Sequence, residues 1–268
     1  MGDQKAMVWA RVRSQEALNE KEGIYSIWIE TELSDYARPG QFIDFYLADP
    51  SRILPRPISI CEIDKENHAM RCVYRIAGEG TWQLSVLKAG DAVRILAPLG
   101  NGYPLEEGKK GRALLIGGGI GIPPLLELSK ELARQGNQKQ IAVLGYRSKD
   151  TFLLDDFEKN ASVYISTDDG SAGTHGTVID CIKEHGITGK DVDVIYSCGP
   201  MPMLRGVKVF AEEEGIRCYL SLEERMACGI GACLGCVTKS TEIDDHSKVK
   251  NKRVCTDGPV FDAREVDI

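Results

Sequence analysis

The sequence lacks the features that would place a protein in a membrane, export it or bind it to nucleic acid. Its 268 residues carry a net charge of −7 and show no basic stripe, which argues against a binder of phosphate backbones. The longest weakly polar stretch, residues 113–128, contains two prolines and four glycines and is shorter than the roughly 18 apolar residues that span a bilayer. The first five residues contain no apolar run typical of a secretory signal. We therefore expect a cytoplasmic protein without a membrane span and without a nucleic-acid partner.

The chain also lacks an even number of cysteines, since it has nine. No export signal accompanies them. A disulfide framework is therefore disfavoured, and reduced thiols that crowd together indicate metal or redox chemistry. Cys228, Cys233 and Cys236 crowd together in this way, and Cys255 follows. The scattered cysteines are predicted to be ordinary buried side chains, namely Cys61, Cys72, Cys181 and Cys218.

Two rhythms of apolar residues divide most of the chain. Up to about residue 103, short alternating runs are separated by turn residues, which is typical of an antiparallel barrel or sandwich. From about residue 110, apolar runs without alternation are separated by helical segments, which indicates a parallel α/β sheet. We predict an antiparallel β-barrel domain over residues 1–103, an α/β domain over 104–216 and a small cluster-binding subdomain over 217–268, with a hairpin over 237–254.

The spacing Cys228-x4-Cys233-x2-Cys236, with Cys255 after eighteen more residues, is the strongest chemical signal. Four thiolates can hold a small iron–sulfur cluster or a tetrahedral metal ion, and this spacing is that of plant-type [2Fe–2S] proteins. The glycines between the ligands allow the loop to wrap around sulfides with its N–H groups turned toward sulfur. We predict a [2Fe–2S] cluster held by these four cysteines.

A structural zinc site is the alternative, and it would make the chain a non-redox binding or regulatory module. Zinc sites favour two short Cys-x2–4-Cys pairs that lie far apart in sequence. Here three cysteines share one loop and the fourth stands alone, which favours iron and sulfide over zinc.

Two segments of the first domain carry groups suited to a flavin dinucleotide. Arg56-Pro57-Ile58-Ser59 combines a planar guanidinium for a pyrophosphate with a fixed backbone and a hydroxyl for a ring nitrogen. Val73-Tyr74-Arg75 adds an aromatic ring and a cation, and Gly80 with Thr81 follows in a turn that can expose N–H groups to phosphate. Each segment alone is weak, since a proline-led strand with a solvated arginine gives the same pattern. Together they predict FAD.

A glycine-rich turn follows the first apolar strand of the second domain. The turn contains Gly117, Gly118, Gly119 and Gly121 and precedes a helix that starts with two prolines, which the first helical turn tolerates. The glycines let a dinucleotide phosphate approach the helix N-terminus. Ile122 takes the third glycine position of the standard dinucleotide fingerprint, and no acidic residue follows the next strand. A standard Rossmann dehydrogenase is therefore disfavoured.

The segment Cys198-Gly199-Pro200 closes the last buried strand of the second domain. Open α/β sheets bind ligands at such strand ends, and a small thiol there can pack beside a nicotinamide ring. A role in packing alone explains both Cys198 and the glycine turn equally well when each is considered separately.

In this order the motifs resemble the ferredoxin–NADP reductase superfamily, in which an FAD-binding barrel precedes a nucleotide-binding α/β domain. The run from Ser221 to Cys236, with Cys255-Thr256-Asp257-Gly258-Pro259, is similar to the electron transfer subunits of the NAD-dependent dihydroorotate dehydrogenase B family. The resemblance covers nearly the whole chain. It implies FAD at the two barrel segments, a [2Fe–2S] cluster at the four cysteines and NAD as the exchangeable electron acceptor.

The resemblance also implies a partner, a catalytic dihydroorotate dehydrogenase subunit that carries FMN, in a heterotetramer of two of each chain. Electrons would pass from that FMN through the cluster and FAD to NAD, in the synthesis of UMP. FAD stands between the cluster and NAD because a flavin converts between one-electron and two-electron carriers. Nothing in this chain resembles an orotate site, and no catalytic residue stands out. The small subunit of a related NADH–ferredoxin or sulfide oxidoreductase is the second enzymatic interpretation. Arg147 leaves NAD against NADP open, since a guanidinium favours a 2′-phosphate.

Overall fold

The computed structural model describes residues 4–49, 53–245 and 247–268. Residues 1–3, part of the segment in which no secretory signal is expected, lie outside the described residues. Within the described ranges no helix has both the length and the apolar character needed to cross a membrane.

The first part of the chain closes into a six-stranded antiparallel barrel, which confirms the predicted architecture. Its strands are β1 (Ala6–Asn19), β2 (Ile24–Glu30), β3 (Phe42–Tyr46), β4 (Arg56–Asp64), β5 (Ala69–Arg75) and β6 (Ala92–Leu99), and helix α1 (Glu79–Ser85) follows β5. The strands pair in the order β1-β2-β5-β4-β3-β6, and β6 closes the barrel against β1. Because successive strand residues point to opposite faces, alternate apolar side chains fill the interior, among them Ile27, Ile43, Phe45, Ile60 and Ile95.

The second part is a parallel sheet with helices on its faces, as the non-alternating apolar runs predict. Its strands are β7 (Ala113–Gly118), β8 (Gln140–Tyr146), β9 (Ser162–Thr167), β10 (Thr174–His175), β11 (Val194–Cys198) and β12 (Arg217–Ser221). The helices are α2 (Glu106–Lys110), α3 (Pro123–Arg134), α4 (Leu154–Glu158), α5 (Val178–Glu184) and α6 (Met201–Glu214). The strand order β10-β9-β8-β7-β11-β12 places the glycine turn after β7 near the centre of the sheet.

The C-terminal part both holds the cysteines and completes the sheet. Strands β13 (Val237–Lys239) and β14 (Asn251–Arg253) form the predicted hairpin. Strand β15 (Val260–Asp262) pairs antiparallel with β12, which itself pairs parallel with β11. The three-domain division stays a prediction. Residues beyond 216 nevertheless enter the α/β layer, because the open edge of β11 is covered by β12 and then by β15.

Helix α3 joins the barrel to the sheet. Glu127 of α3 is 2% exposed and accepts a hydrogen bond from the Ile63 N–H of β4 at 2.8 Å. Arg134 pairs with the same carboxylate at 2.7 Å, and Lys130 pairs with Glu62 of β4. These contacts fix α3, and with it the sheet, against β4 of the barrel.

Candidate functional site

Two adjoining cavities, of about 370 and 720 Å³, open where β4, β5 and α1 meet the segment that precedes the cysteines. They share wall residues that include Pro57, Thr81 and Glu223, and we call them together the barrel cavity. All nine residues predicted to bind FAD line it, namely Arg56, Pro57, Ile58, Ser59, Val73, Tyr74, Arg75, Gly80 and Thr81. The fold therefore brings the two weak sequence motifs together around one space.

One end of the barrel cavity is suited to a phosphate group. Arg56 Nη1 donates to the carbonyl oxygens of Leu54 at 2.7 Å and Pro55 at 3.2 Å, and its guanidinium lies against Gly80 at the start of α1. The Thr81 hydroxyl accepts the Ala77 N–H at 2.8 Å, which closes the turn before the helix. A held cation and a closed turn thus face the same end of the cavity.

A third cavity, of about 390 Å³, lies at the carboxyl ends of the parallel strands, and we call it the sheet cavity. Five of the seven residues predicted to bind NAD line it, namely Gly118, Gly119, Gly121, Gly199 and Pro200. The other two, Gly117 and Cys198, are buried behind this wall. The position agrees with the rule that open α/β sheets bind ligands beyond their strand ends.

The Cys198 carbonyl, rather than its thiol, meets the glycine turn. A Cβ at residue 121 would overlap that carbonyl, so only glycine lets the turn approach the end of β11. The Cys198 side chain is 1% exposed, and burial raises the pKa of its thiol. Contact between this thiol and a nicotinamide stays a prediction.

The barrel cavity and the sheet cavity share Arg75, Ile120 and Glu223. Arg75 Nη2 lies 3.6 Å from Glu22 Oε2, while its Nε is buried without a hydrogen-bond partner in the described part of the chain. Glu223 reaches solvent within the cavities, but the surrounding protein desolvates its carboxyl and raises the pKa, an effect that Arg75 opposes. A free guanidinium donor and a carboxyl that holds a proton more readily than usual therefore meet at this junction.

The four predicted ligands differ in exposure. Cys233 is exposed and Cys228 is half-buried, whereas Cys236 and Cys255 are each 2% exposed. The Gly235 N–H donates to the Cys233 sulfur at 3.4 Å.

Backbone N–H groups of the loop surround the Cys228 sulfur. Burial favours the neutral thiol, but hydrogen bonds from the Ile230 N–H, the Cys233 thiol and further N–H groups lower the pKa of Cys228 to about 7. A thiolate is the form that binds metal, so the loop favours the ligating form of this cysteine.

The thiols meet in two pairs, since Cys228 hydrogen-bonds Cys233 and Cys255 hydrogen-bonds Cys236. Burial, followed by the contact with Cys236, raises the pKa of Cys255 to about 12. A [2Fe–2S] cluster takes two cysteines at each iron, so the two pairs match the ligand arrangement of such a cluster.

Gly229 seats the cysteine loop, residues 227–236, on the outside of the barrel. Its φ of +66° is left-handed, and a Cβ there would overlap the carboxylate of Asp44 on β3. Asp44 is fully buried, neither of its carboxylate oxygens has a hydrogen-bond partner among the described residues, and burial raises its pKa to about 7. The loop therefore rests on an unpaired buried carboxyl.

Sequence reasoning missed two groups of wall residues. Glu223, Glu224 and Met226 line the barrel cavity, and their only sequence signal is that they directly precede the cysteine loop. Asp168 follows β9 and lines the sheet cavity together with Arg147, but no local pattern marks it. The scattered cysteines Cys61, Cys72, Cys181 and Cys218 are all buried, as predicted.

Two family models match the chain. Residues 223–267 match the iron–sulfur cluster binding domain of dihydroorotate dehydrogenase B, and residues 115–209 match the oxidoreductase NAD-binding domain. All four predicted cluster ligands fall within the first match, and the glycine turn and Cys198 fall within the second.

Known proteins are similar to this chain over most of its length. It is 44% identical over 256 residues to a Bacillus cereus protein named dihydroorotate dehydrogenase B (NAD(+)), electron transfer subunit, with 93% of this chain and 96% of that protein aligned. A Bacillus anthracis protein of the same name shows the same identity and coverage.

Solved structures share the fold. The structure of an NADH-dependent reduced ferredoxin–NADP oxidoreductase, described in work on flavin-based electron bifurcation, superposes with a TM-score of 0.84 at 30% identity and covers 100% of this chain and 91% of its own. The ferredoxin reductase of carbazole 1,9a-dioxygenase superposes with a TM-score of 0.67 at 19% identity, over 79% of this chain and 67% of its own, which indicates a shared fold alone.

Proposed function

Since the chain belongs to the family of dihydroorotate dehydrogenase B electron transfer subunits, we propose that it carries electrons from the FMN of a catalytic dihydroorotate dehydrogenase subunit through a [2Fe–2S] cluster and FAD to NAD. The pathway is the synthesis of UMP. The observation that carries this proposal is the contiguity of three sites. The barrel and sheet cavities share Arg75 and Glu223, and the wall segment at Glu223–Met226 leads directly into the cysteine loop.

Each site has a donor set suited to its group. The nine residues of the barrel cavity would hold FAD, with Arg56 toward the phosphates and Ser59 toward the ring. The glycine turn, with Cys198, Gly199 and Pro200, would hold NAD. Cys228, Cys233, Cys236 and Cys255 would hold the cluster, and the Thr256 hydroxyl beside them is buried without a partner in the described chain, which leaves a donor for a further group.

FAD, when bound, supplies the conversion between hydride exchange and single-electron exchange. The chain supplies position and charge. Arg75 spans the junction of the cavities and is oriented by Glu22, so its free Nε can donate to a group bound there. Glu223 holds a proton at its carboxyl more readily than an ordinary glutamate, because the protein around it desolvates the carboxyl and raises its pKa.

Asp168 supports NAD rather than NADP as the acceptor. It lines the sheet cavity together with Arg147, and a carboxylate repels the 2′-phosphate that distinguishes NADP. Arg147 alone leaves the choice open, whereas the pair favours a ribose with a free 2′-hydroxyl.

The proposed assembly is two copies of this chain with two FMN-bearing subunits, in the cytoplasm. Light scattering on the co-purified complex measures the stoichiometry, and fractionation of native cells measures the location. A complex with one copy of either chain would contradict the proposed heterotetramer.

Co-expression with the catalytic subunit and anaerobic purification test the function. We expect a yellow-brown complex with flavin and iron–sulfide absorption that reduces NAD when dihydroorotate is added. A colourless protein that contains zinc would contradict the proposal and support the binding-module alternative.

A substitution in the cysteine loop tests the path. Cys233→Ser is expected to abolish cluster absorption and dihydroorotate-driven NAD reduction, while FAD-dependent reduction of a dye by NADH persists. Cys181→Ser is a matched control, because the Cys181 thiol already hydrogen-bonds the Ile165 carbonyl at 3.7 Å and a hydroxyl can replace it. An unchanged cluster spectrum in the Cys233 variant would refute the ligand assignment.

The 30% identity to the ferredoxin–NADP oxidoreductase structure over the whole chain supports a second candidate, the small subunit of an NADH–ferredoxin complex. The cysteine-loop match to the dihydroorotate family favours the first. Reduction of ferredoxin, with no response to dihydroorotate, by the complex purified from native cells would favour the second.

A further inference from the structure

The outer face of the barrel begins with two large apolar side chains that no part of the described chain covers. Met7 and Trp9 of β1 are 50% and 70% exposed, whereas Ala10 and Val12 are almost fully buried. The alternation of strand residues places Met7 and Trp9 together on the solvent side. A tryptophan this exposed on a regular strand is unusual for a surface that faces only water.

Strand pairing extends this surface sideways in two rows. Trp9 lies opposite Arg94 of β6, and Arg94 lies opposite Tyr46 of β3 with its guanidinium carbon 5.0 Å from the ring centroid. In the next row, Met7 lies opposite Leu96. Directly opposed side chains on paired strands are in contact range. We call Met7, Trp9, Arg94, Leu96 and Tyr46 the outer barrel face.

The outer barrel face is continuous with the cysteine loop. Leu96 pairs with Asp44, and the carboxylate of Asp44 is the group on which Gly229 rests. Ile230 and Leu234, which flank the exposed Cys233 in the loop, are 51% and 40% exposed. The two apolar surfaces thus meet along the edge where a cluster ligand reaches solvent.

The one charged residue of the outer barrel face is a cation, Arg94, although the net charge of the chain is −7. The arginines further along β1 do not add free positive charge, because Arg11 lies opposite Glu30 and Arg13 pairs with Glu30 at 3.2 Å. A partner that binds this face is therefore expected to present an apolar surface with an acidic group toward Arg94.

We propose that the outer barrel face and the exposed edge of the cysteine loop form one docking surface, and that its occupant is the FMN-bearing catalytic subunit. This inference rests on the proposed function. Trp, Tyr and Arg are enriched at binding hot spots, and Met is enriched at interfaces in general. Docking here covers the exposed cluster ligand with the subunit that must deliver electrons to it, and Arg94 favours a partner with an acidic group opposite it.

Trp9→Glu in the full chain, mixed with the purified FMN subunit, tests the surface. We expect the dissociation constant of the complex to rise roughly 30-fold or more, because a central aromatic anchor is lost and a repulsive charge is added. Flavin absorption, cluster absorption and NADH–dye reduction are expected to stay unchanged, since Trp9 lines none of the three cavities. Val209→Glu is the matched control, because Val209 is 51% exposed but lies on α6 of the α/β layer.

Arg94→Gln provides a second variant that keeps the shape of the face. It is expected to weaken binding and to reduce the dependence of binding on salt, which reports the predicted acidic partner surface. Retained wild-type affinity in both Trp9→Glu and Arg94→Gln would overturn the docking inference and leave the proposed function standing. A wild-type chain that binds no FMN subunit would overturn both. Self-association of the isolated chain that Trp9→Glu abolishes would show instead that this face joins two copies of the chain.

Discussion

The cysteine loop and the glycine turn are both rich in glycine, but glycine serves each in a different way. In the loop, Gly229 has a left-handed φ of +66° and also lies against Asp44, so both its backbone conformation and its lack of a side chain matter. In the turn, Gly121 has no such φ, and only the space before the Cys198 carbonyl requires glycine. Gly229 is therefore required both by its backbone conformation and by a close contact, whereas Gly121 is required only by the closeness of two separate elements.

Gly229→Ala is expected to have the largest effect. A left-handed backbone strained by a Cβ costs about 1–3 kcal/mol, and the overlap with Asp44 adds to this. We expect loss of most cluster absorption with FAD retained, as measured by iron and flavin content. Gly206→Ala is the control, because Gly206 lies inside α6 and the nearest atom to its added Cβ, Cγ1 of Ile179 on α5, is 3.4 Å away. It is expected to be neutral or stabilising by up to about 1 kcal/mol. Equal cluster content in the two variants would show that the cysteine loop does not depend on the left-handed backbone of Gly229.

The second largest effect is expected from Asp44, the carboxyl beneath the cysteine loop, which makes the stability of the chain depend on pH. The pKa of Asp44 is about 7 in the folded chain and near 3.8 when unfolded, so the folded state binds the proton more tightly. This contribution to stability is complete below pH 4 and is lost as pH rises to 7 and above, by up to about 4 kcal/mol. Asp44→Asn is expected to flatten this fall, as measured by urea unfolding at pH 5 and pH 8. Parallel pH profiles for the two proteins would show that Asp44 is not the titrating group.

Gly121→Ala tests whether the sheet cavity depends on the close approach of the glycine turn to the end of β11. The added Cβ would force the glycine turn away from the end of β11, and we expect KM for NADH to rise roughly tenfold in the dye assay. Cluster and flavin absorption are expected to stay unchanged, because the loop and the barrel cavity do not contact residue 121. A fall in cluster content in this variant would contradict the independence of the two regions.

Asp168→Asn is expected to have the smallest effect. Removing one carboxylate from the sheet cavity reduces its repulsion of a 2′-phosphate, and the ratio of kcat/KM for NADPH to that for NADH is expected to rise about fivefold. An unchanged ratio would assign cofactor choice to residues other than Asp168.

The sequence was most informative where the functional residues are near one another along the chain. The spacing from Cys228 to Cys236 predicts a cluster within the segment that matches the iron–sulfur domain, and Arg56–Ser59 and Val73–Arg75 both line the barrel cavity. It was least informative for Cys198, whose position at a strand end was right but whose thiol is buried beneath the cavity. A strand end can be read from a pattern, whereas the direction of one side chain depends on its neighbours in the sheet.

By itself the sequence determined the order of barrel, sheet and cysteine loop, because alternation, apolar runs and ligand spacing are local properties of a chain. The tertiary structure alone decided that Glu223 lines two cavities, that Asp168 lines the sheet cavity and that Trp9, Arg94 and Tyr46 share one row. These residues come from distant segments, and they meet only because strand register and the packing of α3 against the barrel fix which segments are neighbours.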